Sequence, residues 1–174
     1  MNALIELLKI IIPAGAVFAA AYFLVNRFLD NDQKRREHEL KKSAQGLITP
    51  LKIQAFERIV IFLERINPNS LVIRVNKNGM TSRQLHNELV AAVKTEFEHN
   101  LSQQIYVSHA AWELVKNAKE EVIQLINISS SKVSVDVNSS ELAIMILNIT
   151  ANLNKKLPNE IALEYLKKEI AQTI

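Results

Sequence analysis

Residues 10–25 contain no charged side chain, and the cations Lys34, Arg35, Arg36, Lys41 and Lys42 follow close behind. A run of this kind followed by a basic cluster reads as a membrane anchor with a domain on its C-terminal side. Its sixteen residues, at about 1.5 Å each, cover about 24 Å of a hydrocarbon core about 30 Å thick. A span therefore draws on its flanks. Leu4, Ile5, Leu7 and Leu8 extend it on one side and Phe28 and Leu29 on the other. Lys9 can snorkel to the interface, with Glu6 three residues away as its pair. The pattern predicts a transmembrane anchor over residues 1–29.

Orientation follows from the cations near each end. Ahead of the run stand Lys9 and the α-amino group; behind it stand Arg27, Lys34, Arg35, Arg36, Lys41 and Lys42. The bias predicts an N-terminus outside and residues 30–174 in the cytosol. A cleaved signal peptide is the rival reading, with residues 10–18 as its apolar core and Ala19-Ala20-Ala21 as its processing site. Against it, Glu6 offsets Lys9, the apolar run continues through Val25, and the basic cluster resists export.

Beyond residue 29 the chain is long enough for one cored domain and short for two. The expected organisation is an anchor over 1–29, a charged juxtamembrane segment over 30–45 and a soluble domain over 46–174. Cysteine is absent, so thiolate metal sites, a nucleophilic cysteine and disulfides are excluded. From Ser43 onward 14 Lys and Arg face 13 Asp and Glu. Most of the net charge of +3 thus resides in the anchor and its collar, and the domain offers no bulk attraction to nucleic acid.

Three glycines and four prolines punctuate the chain. Gly46 and Pro50 read as a break after the charged segment. Leu51, Ala55, Ile59, Phe62, Leu63 and Ile66 then recur at helical spacing, ending near Asn67-Pro68. Residues 71–75 fit either a short strand or a helical turn begun by Pro68. Thr81 with Gln84 forms a capping box for a helix that buries Leu85, Leu89, Ala92, Val93 and Phe97. Ser108 caps the next, with Ala111, Trp112, Val115, Ala118, Val122, Leu125 and Ile126 inward. Residues 129–140 read as a loop, although Val133, Val135 and Val137 alternate as in a strand. Ser140 is the expected cap of a very apolar helix over 141–156, and Pro158 opens a last helix through Ile161, Leu163, Leu166 and Ile170. The fold class is all-α: an N-terminal transmembrane helix followed by a bundle of four or five principal helices.

Three stretches carry a resemblance: ALIELLKIIIPAG at the start, FLERINPNSLVIRV followed by GMT, and EFEHNLSQQIYVSHAAWELVKNAKEEVI over residues 96–123. In these the chain resembles an uncharacterised family of small single-span inner-membrane proteins of Bacteroidota. The likeness covers most of residues 1–128 and fades beyond. It implies a bacterial inner-membrane setting and assigns no catalytic or binding residue.

Candidate chemistry is sparse. Glu96 and His99 form an E-x-x-H step, as in di-metal carboxylate bundles, but such sites need a second step and two further carboxylates. No second step exists, and His38, His86 and His109 lie outside the pattern. No metal, cofactor or catalytic residue is assigned. There is no G-x-S-x-G elbow and no glycine-clustered phosphate loop. Lys34, Arg35, Arg36, Lys41 and Lys42 can meet anionic headgroups, although Asp30, Asp32, Glu37 and Glu39 dilute them. Gly15 with Ala19, and Ala16 with Ala20, form small-xxx-small steps suited to helix packing in a bilayer. Trp112 is expected in the core and residues 142–149 in a central helix, with an interface as the alternative. The chain therefore reads as a membrane-tethered, non-enzymatic adaptor or accessory subunit at the cytosolic face. Its expected partners are the bilayer and a protein or second copy, without nucleic acid. The alternative is a membrane-held enzyme or ligand-binding domain whose pocket the sequence does not identify.

Overall fold

The computed structural model describes residues 2–153 and 155–173, with side chains described from Gly15 onward apart from Ala16, Ala19, Ala20, Glu37, Ala44 and Thr173. The chain is all-helical: α1 (Asn2–Arg65), α2 (Pro68–Val75), α3 (Ser82–Glu98), a 3₁₀ helix (Leu101–Ile105), α4 (His109–Ser130), α5 (Ser139–Ala151) and α6 (Pro158–Thr173). Among the described residues no strand forms, and a single antiparallel bridge joins Thr81 to Asn138. Two compact units divide the chain, Met1–Ile48 and Thr49–Ile174.

The first unit is helical throughout its described residues. Its large apolar side chains from Val17 to Leu29 stand exposed, among them Phe18, Phe23, Leu24 and Phe28. Among the described residues no helix is long and apolar enough to cross a membrane. Residues 2–14, 16, 19 and 20, which hold most of the expected span, lie outside those whose side chains are described. The break expected at Gly46 and Pro50 does not interrupt α1. Proline in a helix interior removes one hydrogen bond and costs about 3 kcal/mol. The helical stretch that follows buries a whole apolar face, which offsets that cost.

In the second unit the end of α1 supplies Ala55, Phe56, Ile59, Phe62 and Leu63 to the core, and the turn after it supplies Ile66. Leu51, expected inside, is exposed, because the buried stretch of α1 starts one turn later. Residues 71–75 lie in helix α2 rather than a strand. Asn67 caps α2 by accepting from Asn69 N at 3.1 Å, and Pro68 occupies its first turn, where a missing N–H costs nothing. Leu71 and Val72 face inward while Ile73 faces solvent, a pattern a strand with Leu71 and Ile73 on one face would not give.

Helix α4 packs against α3, α5 and α6, and α5 packs against α2, α3 and α4. Three partners explain why α5 is apolar on nearly every side: Leu142, Ala143 and Ile146 are buried, and Met145, Leu147 and Ile149 are half-buried. Ile144 and Ile161 are exposed, on the sides of α5 and α6 turned to solvent. The cap of α5 is Asn138, accepting from Ser140 N at 2.9 Å, so the helix starts at Ser139 and not after Ser140. It ends at Ala151. Lys156 therefore lies in the linker and bonds Glu164 of α6.

The capping box of α3 forms as read: Thr81 Oγ1 accepts from Gln84 N at 3.3 Å and Gln84 Oε1 from Thr81 N at 2.9 Å. The serine-rich loop completes it. Ser82 N donates to Val137 O at 2.9 Å and Arg83 N to Val135 O at 3.2 Å. Helix starts leave such N–H groups unpaired, and here the loop's extended backbone satisfies two of them.

Three aromatic rings tie α1, α3 and α4 together. Phe97 lies 5.8 Å from Phe62 and is stacked on Trp112 at 5.5 Å, with Lys119 Nζ 4.5 Å from the Phe97 centroid. Phe97→Ala is expected to cost about 3–5 kcal/mol, and Thr81→Ala about 1 kcal/mol, in denaturant unfolding of the full chain in detergent. Equal costs would place the ring contacts outside the cooperative core.

Surface ion pairs give the fold a pH dependence. The hydrogen bond from Lys156 holds the Glu164 carboxyl below its usual range, and the same bond raises Lys156. The hydrogen bond from Lys116 likewise lowers Glu113. Both carboxylates stabilise the fold above the ordinary value of 4.5, and the effect is lost as pH falls through their lower folded values. Lys156 acts in the opposite sense, its contribution present below 10.5 and lost as pH rises past its raised value. Glu164→Gln is expected to flatten part of the acid limb of a stability–pH curve at low salt. Salt at about 1 M should erase the difference between variant and parent, because these groups are exposed.

Candidate interaction surfaces

The Glu96–His99 step does not come together as a metal site. Glu96 turns toward arginines: Arg65 Nε donates to its Oε1 at 2.7 Å, and Arg74 NH1 lies 3.7 Å from the same oxygen. Arg74 NH2 also donates to Arg65 O at 3.0 Å. The ends of α1, α2 and α3 are thereby clamped around one carboxylate. His99 is exposed as the residue closing α3. The other histidines are dispersed: His38 is exposed, His86 Nε2 lies 2.8 Å from Asn127 Oδ1, and His109 lies 3.7 Å from Glu113. Among the described residues no three His, Asp or Glu side chains group as metal ligands.

Of the serines expected in a loop over 129–140, Ser129 lies in the last turn of α4 and Ser139 opens α5, and three of them donate to nearby oxygens. Ser129 Oγ donates to Leu125 O at 2.8 Å, Ser131 Oγ to Ile128 O at 2.9 Å, and Ser139 Oγ to Asn76 Oδ1 at 2.7 Å. Ser108 caps α4 through Ala111 N at 3.1 Å, as read. Sequence reading missed its second role. Ser108 N and Oγ both donate to the Glu169 carboxylate, at 2.8 and 2.5 Å, which joins the start of α4 to the end of α6. No local signal links residues 61 positions apart.

In the first unit the collar is partly neutralised. Arg35 Nε donates to Glu39 Oε1 at 3.1 Å and Arg36 Nε to Asp32 Oδ2 at 2.9 Å, each one helical turn away. Lys34, Lys41 and Lys42 have no ion-pair partner among the described residues. Gly15 is exposed and a Cβ added there would meet nothing within 4 Å. The side chains of Ala16, Ala19 and Ala20 lie outside the described residues, so the packing steps are placed by sequence alone.

The second unit carries several concavities, two of which bear on binding. An apolar cleft of about 260 Å³ lies among the second half of α4, the end of α5 and the linker to α6, with Leu125, Ile128, Ile149 and Leu153 as walls and Glu121 and Lys155 also lining it. Ligand sites usually occupy about 300–1,000 Å³ with several converging polar groups, so this cleft is small and poorly equipped. Near it, in the first turn of α6, Asn159 is fully buried with neither side-chain polar atom hydrogen-bonded, which nothing in the structure explains. A larger groove of about 600 Å³ runs between α1 and the 3₁₀ helix. Leu51, Gln54, Arg58 and Ile61 line one side, and Ile105 and Tyr106 the other.

A known family describes nearly the whole of this chain, with residues 2–173 matched. The chain belongs to a family of unknown function (DUF7935). The match takes in the N-terminal apolar segment and every helix of the second unit. No curated protein and no solved structure matches the chain.

The arginine clamp is directly testable. Glu96→Gln should cost about 1–3 kcal/mol, because charge-assisted hydrogen bonds to a mostly buried carboxylate are lost. Exposed Glu98→Gln should be near neutral. Unfolding of both variants under one condition checks the contrast, and equal stability would show that Glu96 does not hold the three helix ends together.

Proposed function

We propose that the chain is a membrane-tethered, non-enzymatic adaptor or accessory subunit at the cytosolic face of a bacterial inner membrane, in the Bacteroidota setting its motifs suggest. One observation carries the reading: the charge-free run over residues 10–25 continues into exposed Phe28 and Leu29 and then meets a one-sided set of cations. Exposed apolar side chains as dense as Val17, Phe18, Phe23, Leu24 and Val25 call for a cover, and lipid supplies one. Residues 1–29 are then the single span, with the N-terminus outside. Lys34, Arg35, Arg36, Lys41 and Lys42 set its orientation, and the lysines among them face headgroups. Gly15, Ala16, Ala19 and Ala20 give the span a close-packing face.

The adaptor role rests on how the polar groups are used. Glu96 is held by arginines, Ser108 by Glu169, and the serine-rich loop by the start of α3. What the second unit offers instead is an open groove flanked by exposed apolar side chains, which suits a protein partner. Its near-balanced charge gives nucleic acid no purchase.

Carbonate extraction, intact-mass analysis and protease access in spheroplasts test the anchor. The full-length chain should stay in the membrane pellet, keep residues 1–29, and hold a C-terminal tag protected until the membrane is opened. A periplasmic tag, or a mature chain starting near Tyr22, would sink the reading.

A further inference from the structure

We propose that the groove between α1 and the 3₁₀ helix is where a second copy of this chain docks. Within the second unit, Leu51, Gln54, Arg58 and Ile61 fall on one face of α1 at intervals of three, four and three residues, the spacing of a helix contact seam. That face is unpartnered: Leu51 is 46% exposed and Ile61 49%. Ile105, at the end of the 3₁₀ helix beside the groove, is 74% exposed. The surface thus carries a projecting apolar side chain next to a recess with apolar rims.

Its charges have the same two-sided character. Glu57 and Arg58 are adjacent, exposed and lining the groove, and among the described residues neither has an ion-pair partner. A partner of one dominant charge gains from one of them and is repelled by the other. A second copy satisfies both. In a two-fold arrangement residue i meets j while j meets i, so a helix face crossing its own copy near residue 57 sets Glu57 against the partner's Arg58 twice over. The same axis lets each Ile105 enter the other copy's groove. Few contacts of this size give a weak dimer, and confinement on a membrane raises the effective concentration that makes it form. In that respect the inference rests on the anchored reading.

The chain lacks cysteine, so a single Gln54→Cys in the full-length protein gives a clean crosslinking site. In native membranes a short bismaleimide should yield a band of twice the chain mass. Adding Glu57→Arg should cut that band about tenfold, since two symmetric pairs become two repulsions. Ile105→Asp should do the same, and at a position this exposed it leaves the helical circular dichroism unchanged. The double exchange Glu57→Arg with Arg58→Glu restores opposite charges across the axis and should recover the band, which no monomeric surface effect would do. A missing dimer band, a band insensitive to these changes, or crosslinking to a protein of another mass would each overturn the proposal. Carbonate extraction of the same sample separates this from the anchor: release of a chain that still crosslinks removes the tether and keeps the interface.

Discussion

Phe97 is the point at which the second unit is fastened. Its ring meets Phe62 from α1 and Trp112 from α4, and Lys119 lies within cation–π distance of it. One aromatic side chain buries about 150–250 Å² and favours offset or tilted partners over loose apolar contact. It therefore sets the approach of two helices to α3 and not only their attraction. The Glu96 clamp sits one residue away and holds the same end of α3 to Arg65 and Arg74. The charged lock, through Arg74, also bears on α2, which is only eight residues long. Isolated helices of that length are marginal in water. Here Leu71 and Val72 are buried and Arg74 is tied to the preceding chain.

Much of this was legible because it is local. A capping box needs Thr81 and Gln84 three residues apart, and a cap at Ser108 needs one hydroxyl before an apolar-periodic run, so both could be read and both form. Helical periodicity also located Ile59, Phe62, Leu63, Leu89, Val93 and Trp112 in the core. Periodicity fails where an element has no partner along its whole length. Leu51 continues the spacing of Ala55 and Ile59, yet no helix covers that turn, and the leucine stays exposed. The reverse holds for α5, where burial by three neighbours removes the amphipathic signal that would have told which residues face solvent.

Punctuation misled in one place and informed in another. Gly46 and Pro50 are sound reasons to end a helix, but their cost is a few kcal/mol and helical order continues across them. The valine alternation at residues 133–137 had the opposite fate. It suggested pairing, and pairing exists in reduced form: the carbonyls of Val135 and Val137 accept from the first turn of α3, and Thr81 bridges Asn138. An extended loop serving a helix start has the same period as a strand, and one sequence cannot separate the two. Long-range partners are beyond this kind of reading altogether, as Glu169 on Ser108 illustrates.

The distribution of polar groups bears most on function. Catalysis needs side chains held near one another yet left chemically available, commonly with an acid or base and an orienting group around a shared space. In this chain Glu96 of the E-x-x-H step is engaged elsewhere, and so are several hydroxyls. Glu96 pairs with two arginines, Ser108 and Glu169 close a helix end, and Ser129, Ser131 and Ser139 bond carbonyl or amide oxygens. Groups engaged in this way stabilise a scaffold, and changing them alters the fold before it alters any chemistry. The surface around Leu51, Ile61 and Ile105 is the counterpart: apolar area left uncovered beside charges left unpaired. Exposure of that kind is retained at a cost in solubility. A contact that covers it offsets the cost.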